Sequence, residues 1–242
     1  MVTRIGKVDV TLIGTGNLGT NLCEALNRVG HKVTMLRGRE FQPEDIRGDI
    51  IIVAVRDDAI SLVLEKLKDT DHLTVHTAGS VPMNIIPTRR RGVFYPMQTF
   101  SKDRLVDFTN IPIFVEADSE EDTRLLELLA KSISNDTHRL GSDARRHLHL
   151  AAVFASNFVN HCYQLSAEVL EPQGIPFSVM LPLIDEVAMK VHTISPREAQ
   201  TGPAIRNDQQ VISRHKSMLK GRMLEIYEIM SRSIQTSSSA EN

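Results

Sequence analysis

The sequence predicts an open, mostly parallel α/β sheet with helices on both faces, followed by an all-helical C-terminal half. Three observations carry this expectation. Short β-branched runs alternate with helical periodicity as far as about Gly141. Gly14, Gly16 and Gly19 join the first run to the first helix in the spacing G-x-G-x-x-G. Past Gly141 the alternation stops, and no proline or glycine interrupts Ser142–Glu171.

The elements follow in order. Val8–Ile13 is apolar and β-branched and predicts the first strand. Leu18, Leu22, Leu26 and Val29 recur at helical spacing, and Gly30 supplies the stop. Lys32–Leu36 predicts a second strand. Asp49–Val55 is nearly all apolar, as a strand covered on both faces should be. Ala59–Leu67 predicts a short helix. Leu73–His76, Gly92–Tyr95 and Ile111–Val115 predict further strands. Glu120–Ile133 is amphipathic, with Leu125, Leu126, Leu128 and Leu129 on its apolar stripe. The domain boundary is expected at Gly141/Ser142. Residues 1–141 would bind a dinucleotide, and residues 142–242 would form a helical domain for substrate and dimerisation. Ser142 would cap one long helix that stops at Pro172. Its middle, "LAAVFASNFV", is apolar nearly all round and is expected to be buried. Phe177–Val191 and Asp208–Ile229 predict two more helices, and the small polar tail from about Arg232 to Asn242 is expected to be unstructured.

Bulk properties narrow the classes of function. The chain has 242 residues, 41% hydrophobic and 24% charged, an ordinary globular balance. A net charge of −2 gives no electrostatic case for nucleic acid or an anionic membrane as partner. No apolar run is long enough for a membrane span, and the N-terminus reads as no signal peptide. Cys23 and Cys162 sit in helical patterns, without metal-type spacing, so the cytoplasm is the expected compartment.

The glycine spacing gains meaning from its context, because a strand precedes it and a helix opens within it. Gly14 would permit the tight turn, Gly16 the close approach of a pyrophosphate, and Gly19 the packing of helix on sheet. The helix N-terminus presents unpaired N–H groups to phosphate. This is the pattern of a Rossmann doubly wound fold, with Gly14, Thr15, Gly16, Asn17, Leu18 and Gly19 around the cofactor. Where an NAD site carries an acidic residue for the ribose, this chain has Arg37, followed by Arg39. Either guanidinium can pair with a 2′-phosphate, which predicts NADP(H). Glu40 leaves NAD as the alternative. Val55, His76, Thr77 and Gly79 lie at strand C-ends, where cofactor contacts form, and Gln98 and Thr99 follow the next strand as substrate contacts.

The long helix carries the candidate chemistry. His149 and Asn157 are eight residues apart and so share a helical face, with Ser156 beside them. A histidine there could donate a proton as hydride reaches a carbonyl carbon, and an asparagine could hold the same oxygen. The alternative is a structural histidine with Asn157 tying two helices together. Arg206, in "TGPAIRND", could pair with a substrate carboxylate or lie in solvent. No metal site is expected, because His147 and His149 diverge on a helix.

"VTLIGTGNLGTNL", "FYPMQTFSK", "HLAAVFASNF" and "TGPAIRND", in that order, resemble the Rossmann-like NADP oxidoreductases with an uncharacterised helical C-terminal domain. The wider group resembled includes ketopantoate reductases, pyrroline-5-carboxylate reductases and the 6-phosphogluconate dehydrogenase superfamily. The resemblance implies NADPH, hydride transfer to a small carbonyl or imine substrate, and a homodimer built through the helical domain. A 2-oxo acid such as ketopantoate is one candidate substrate. Ketopantoate reductases carry a catalytic lysine on this helix; His149 stands at the matching position here, and Val153 replaces the first of two asparagines. That departure keeps open a second class of function, a sensor or scaffold that binds NADP(H) without turnover.

Overall fold

The computed structural model describes residues 6–239, which divide into two compact units at Phe158/Val159. The first unit is a seven-stranded sheet: β1 (Asp9–Ile13), β2 (Lys32–Leu36), β3 (Ile50–Val53), β4 (Leu73–His76), β5 (Arg91–Pro96), β6 (Ile113–Ala117) and β7 (Thr137–Arg139), in the order β2-β1-β3-β4-β5-β6-β7. All neighbours are parallel except β5 and β6. The expected fold class is therefore present, a doubly wound, mostly parallel sheet. β7 has no counterpart in the sequence expectation, being three polar residues too short for a pattern.

Strand parity explains the two cores. Val10 and Leu12 of β1 and Ile50 and Ile52 of β3 point to one face, where they pack with Leu22 and Leu26 of α1 (Asn17–Arg28) and Leu126 and Leu129 of α3 (Glu120–Ile133). Ile13, Ile51 and Val53 point to the other face, against Ile60, Val63 and Leu64 of α2 (Asp57–Glu65). All four residues of β3 are fully buried, which is why the run carries no polar alternation. Each such side chain contributes about 1.5–3 kcal/mol on leaving water.

The sheet reverses direction at β1. Strand β2 lies on one side of it and β3 on the other, so the first two crossovers leave in opposite directions. A crevice forms outside the C-ends of the strands at such a point. Gly14 sits at the end of β1, its N–H donating to the Leu36 carbonyl at 2.8 Å, and the Ala54 N–H donates to the Ile13 carbonyl at 2.8 Å.

The long helix differs from its expectation. It begins as α4 (Ser142–Ala152), passes into a π-helical segment (Val153–Phe158), and α5 (Val159–Leu170) opens the second unit. The division therefore falls at 158/159 rather than 141/142, because α4 is bonded to the sheet. Arg145, fully buried, pairs with Glu116 of β6 and donates to the Val81 carbonyl at 2.6 Å. Ser142 donates its hydroxyl to Glu116 and accepts from the Met83 N–H at 2.9 Å. The apolar middle of the helix is not buried: Leu150, Phe154 and Phe158 are all exposed.

The second unit is helical: α5, α6 (Leu181–Lys190), α7 (Gln209–Met218) and α8 (Gly221–Ser239). The helix expected over Asp208–Ile229 is two helices, broken before Gly221, whose φ is +53°. Asp208 caps α7 by accepting from the Val211 N–H. The tail expected to be unstructured is helical as far as Ser239, and Ala240–Asn242 lie outside the described residues. Hydroxyls hold that last stretch: Thr236 and Ser237 donate back to the carbonyls of Arg232 and Ser233, and Gln235 donates to Asn207 at 3.1 Å. Among the described hydrophobic residues of this unit, only Ala204 and Ile212 are buried. No helix among the described residues is long and apolar enough to cross a membrane.

Candidate functional site

The glycine loop is built as its spacing demands. Gly14 has φ +133°, and a Cβ there would lie 2.1 Å from the Ala54 carbonyl oxygen. A Cβ on Gly19 would lie 2.1 Å from the Gly14 carbonyl oxygen, so only glycine lets α1 come this close to the loop. A Cβ on Gly16 would meet nothing within 4 Å. That open side faces an uncapped helix end: Gly16 is the N-cap of α1, no side chain accepts from the first turn, and that turn holds no acidic residue. Free N–H groups, a positive helix end and space together fit a phosphate group. Thr15, Asn17 and Leu18 complete the turn and are half-buried, exposed and half-buried.

Arg37 follows the last residue of β2, whose carbonyl holds the glycine loop. Its guanidinium is exposed and pairs only loosely with Glu40, at 3.5 Å. Arg39 is also exposed, and Val55 is half-buried just past β3. Both arginines are thus solvent-accessible just past the end of β2.

The loop after β4 is more inward than its sequence suggests. His76 is fully buried, its Nδ1 accepting from the Ala78 N–H at 3.2 Å and its Nε2 3.4 Å from the Pro82 carbonyl. Burial, reinforced by the Arg145 charge, lowers its pKa to about 4, so it is a neutral packing residue whose side chain does not reach the loop surface. Thr77 is buried and bonded through its N–H to the Val53 carbonyl. Gly79 faces α4: a Cβ there would lie 2.6 Å from Nδ1 of His149.

A cavity of about 380 Å³ lies against the end of α4 and the π-helical segment. His149, Ser156 and Asn157 line it, together with Tyr95, Gln98 and Thr99 from β5 and the loop after it; Met97, Leu148, Ala152 and Val153 make it apolar. Five of the polar residues, all but Tyr95, were legible as candidates, and the structure brings them to one wall even though part of the helix between His149 and Asn157 is π rather than α. Such segments concentrate at functional sites. The Asn157 side chain is exposed and makes no hydrogen bond with a described residue. Arg206 is exposed in the second unit.

Sequence reasoning missed Tyr95. Its hydroxyl lies 3.2 Å from Nδ1 of His149, and the rings meet edge-to-face with centroids 6.1 Å apart. The residue reads as an apolar strand position in "GVFYP", which hides the hydroxyl at its tip. Burial pushes that hydroxyl's pKa up. Near it, the Ser80 hydroxyl donates to the Asp57 carboxylate at the start of α2. His147 is exposed and bonds its own helix at the Asp143 carbonyl. Among the described residues no cluster of three or more His, Cys, Asp or Glu could hold a metal ion.

Fold and site define a Rossmann-type α/β protein with a helical second unit and a cavity at the foot of its linking helix. Residues 111–234 match the family described as "Domain of unknown function (DUF2520)", and the chain belongs to it. Among the solved structures that resemble it are three of note. The "putative NADP oxidoreductase BF3122" from Bacteroides fragilis is 43% identical with a TM-score of 0.87, covering 95% of this chain and 98% of its own. Protein TM1727 from Thermotoga maritima is 22% identical with a TM-score of 0.77, over 96% and 100% of the two chains. Plasmodium falciparum pyrroline carboxylate reductase, solved with NADP bound, shares the fold at 13% identity and a TM-score of 0.62, over 96% and 100%. Comparison with curated proteins finds no match.

Proposed function

We propose that this protein is an NADP(H)-dependent oxidoreductase acting on a small carbonyl or imine compound. The observation that carries the reading is the single cavity wall shared by His149 and Asn157, with Gly79 of a strand-end loop pressed against the histidine. The Bacteroides fragilis relative's description as an NADP oxidoreductase supports it. Residues 14–19 would hold the pyrophosphate, and Arg37 and Arg39 the 2′-phosphate. The bound nicotinamide would supply hydride. His149 gives a proton to the substrate oxygen or nitrogen, and Asn157 and Ser156 orient that atom by hydrogen bonds. Met97, Leu148 and Val153 present an apolar wall to the reacting carbon. The cavity wall contributes no lysine or arginine. A 2-oxo acid such as ketopantoate would therefore draw the partner of its carboxylate from outside this wall.

The reading extends to a homodimer through the helical unit, in the cytoplasm, where Cys23 and Cys162 stay as free thiols. Leu183, Val187, Met189, Met218 and Ile229 are each more than half exposed, so the unit lacks a core of its own. A second copy would supply the missing cover. Light scattering should return twice the chain mass of 27.1 kDa.

The test of function is NADPH absorbance across a panel of ketones, 2-oxo acids and cyclic imines. Consumption with at least one, abolished by His149→Ala with NADPH affinity retained, is expected. Tight NADPH binding without consumption would instead make the protein a nucleotide-binding sensor.

A further inference from the structure

We propose that Tyr95 is a positioning residue for His149: its hydroxyl donates to Nδ1 and so keeps the imidazole proton on Nε2, the nitrogen presented to substrate. The proposal rests on the reading of His149 as proton donor: as Nε2–H passes its proton to substrate, the Tyr95 hydroxyl proton moves to Nδ1, so the imidazole stays neutral and the phenol is reprotonated from solvent in the cavity. A neutral imidazole has one N–H and one bare nitrogen, and the partner of one nitrogen decides the state of the other. Among the described residues, Nδ1 has a single partner, the Tyr95 hydroxyl at 3.2 Å, and Nε2 has none.

The direction of that bond follows from satisfying each donor. Nδ1 is the one described acceptor within reach of the Tyr95 O–H, and the tyrosine is 8% exposed. Reversing the bond would turn the hydroxyl proton away from its one described acceptor and leave Nε2 bare, with no proton to offer substrate. With the phenol donating, every group is used: Nδ1 accepts, and Nε2–H is free for a carbonyl oxygen or imine nitrogen.

Three features hold this geometry. Tyr95 lies inside β5, paired with Phe114 across the antiparallel ladder. His149 stands one helical turn beyond Arg145, which anchors α4 to the sheet. Gly79 leaves the space that the imidazole fills, since a methyl there would overlap Nδ1 at 2.6 Å and the ring's Cγ at 2.7 Å. Rigid supports of this kind set the aim of a reacting side chain.

The test reads the tautomer directly and needs no substrate. Long-range 1H–15N spectra of the full-length protein are recorded at about pH 8, where an ordinary imidazole is neutral, with His149 assigned by its loss in His149→Gln. The expected wild-type pattern is an unprotonated Nδ1 and a protonated Nε2. In Tyr95→Phe, the Nδ1 resonance should move toward the averaged position of a mixed tautomer, with thermal stability retained. Gly79→Ala should produce the same movement with Tyr95 intact, by pushing the ring off the hydroxyl. With any substrate found, Tyr95→Phe should lower kcat roughly tenfold while KM changes less than about twofold, as a partial loss of general-acid catalysis would. A wild-type His149 protonated on Nδ1, or a pattern unmoved in both variants, overturns the proposal. That failure is separate from failure of the proposed function, which shows as no NADPH binding or consumption whatever the tautomer.

Discussion

Replacing Arg145 by methionine should show how α4 is held in place to present His149. The guanidinium is fully buried, paired with a Glu116 side chain only 17% exposed, and also bonds the Val81 carbonyl and the Ser142 hydroxyl. Arg145→Met leaves the Glu116 carboxylate in a low-dielectric setting without its cation, and orphans a carbonyl. Breaking a buried pair from one side costs about 3–5 kcal/mol. Glu116 keeps two donors, the Ser142 N–H at 3.0 Å and its hydroxyl at 2.8 Å, so the lower end, ~3 kcal/mol, is expected. Urea unfolding followed by circular dichroism measures it. Adding Glu116→Gln removes the stranded charge, and the double variant should recover about 1–2 kcal/mol of that loss. A single-variant cost below about 1 kcal/mol, or strict additivity of the two changes, would refute the view that this pair anchors the helix.

Three further outcomes follow from the same geometry. His76 has its pKa lowered by burial to about 4, so the unfolded chain binds its proton first as pH falls. Its contribution is intact above about pH 6.5 and is lost between there and pH 4, ~3 kcal/mol in all; urea midpoints measured across that window should fall more steeply for the wild type than for His76→Asn, and equal slopes would be contrary. Gly14→Ala forces a side chain onto the Ala54 carbonyl at a positive φ, so isothermal titration should find NADPH binding lost and the melting temperature lowered. Arg37→Ser should weaken NADPH binding by about 1.5–3 kcal/mol and leave NADH binding nearly unchanged, as fluorescence titration with both nucleotides can check.

Local pattern made the α/β half legible. Strands such as Ile50–Val53 and the stripe Leu22–Leu26 announce themselves because hydrophobic periodicity is a local property of the chain. The glycine loop was equally plain, since its spacing is written at three fixed positions, two of which, Gly14 and Gly19, leave no room for a Cβ. His149 and Asn157 stood out as polar residues within an apolar run. The partner of His149 did not, because Tyr95 is a strand residue 54 positions away, and nothing in "GVFYP" says which way its hydroxyl points.

By itself, then, the sequence determined the alternation of strand and helix, the phosphate-type turn and the type of side chain available for proton transfer. Tertiary structure alone decided that α4 belongs with the sheet, through the buried Arg145–Glu116 pair, and that the His76 side chain is buried and neutral. It also decided that the apolar helix expected inside a domain presents Leu150, Phe154 and Phe158 outward. The reason is physical: periodicity reports which residues avoid water, but which surface covers them, and which charge meets which, depends on contacts between segments far apart in the chain.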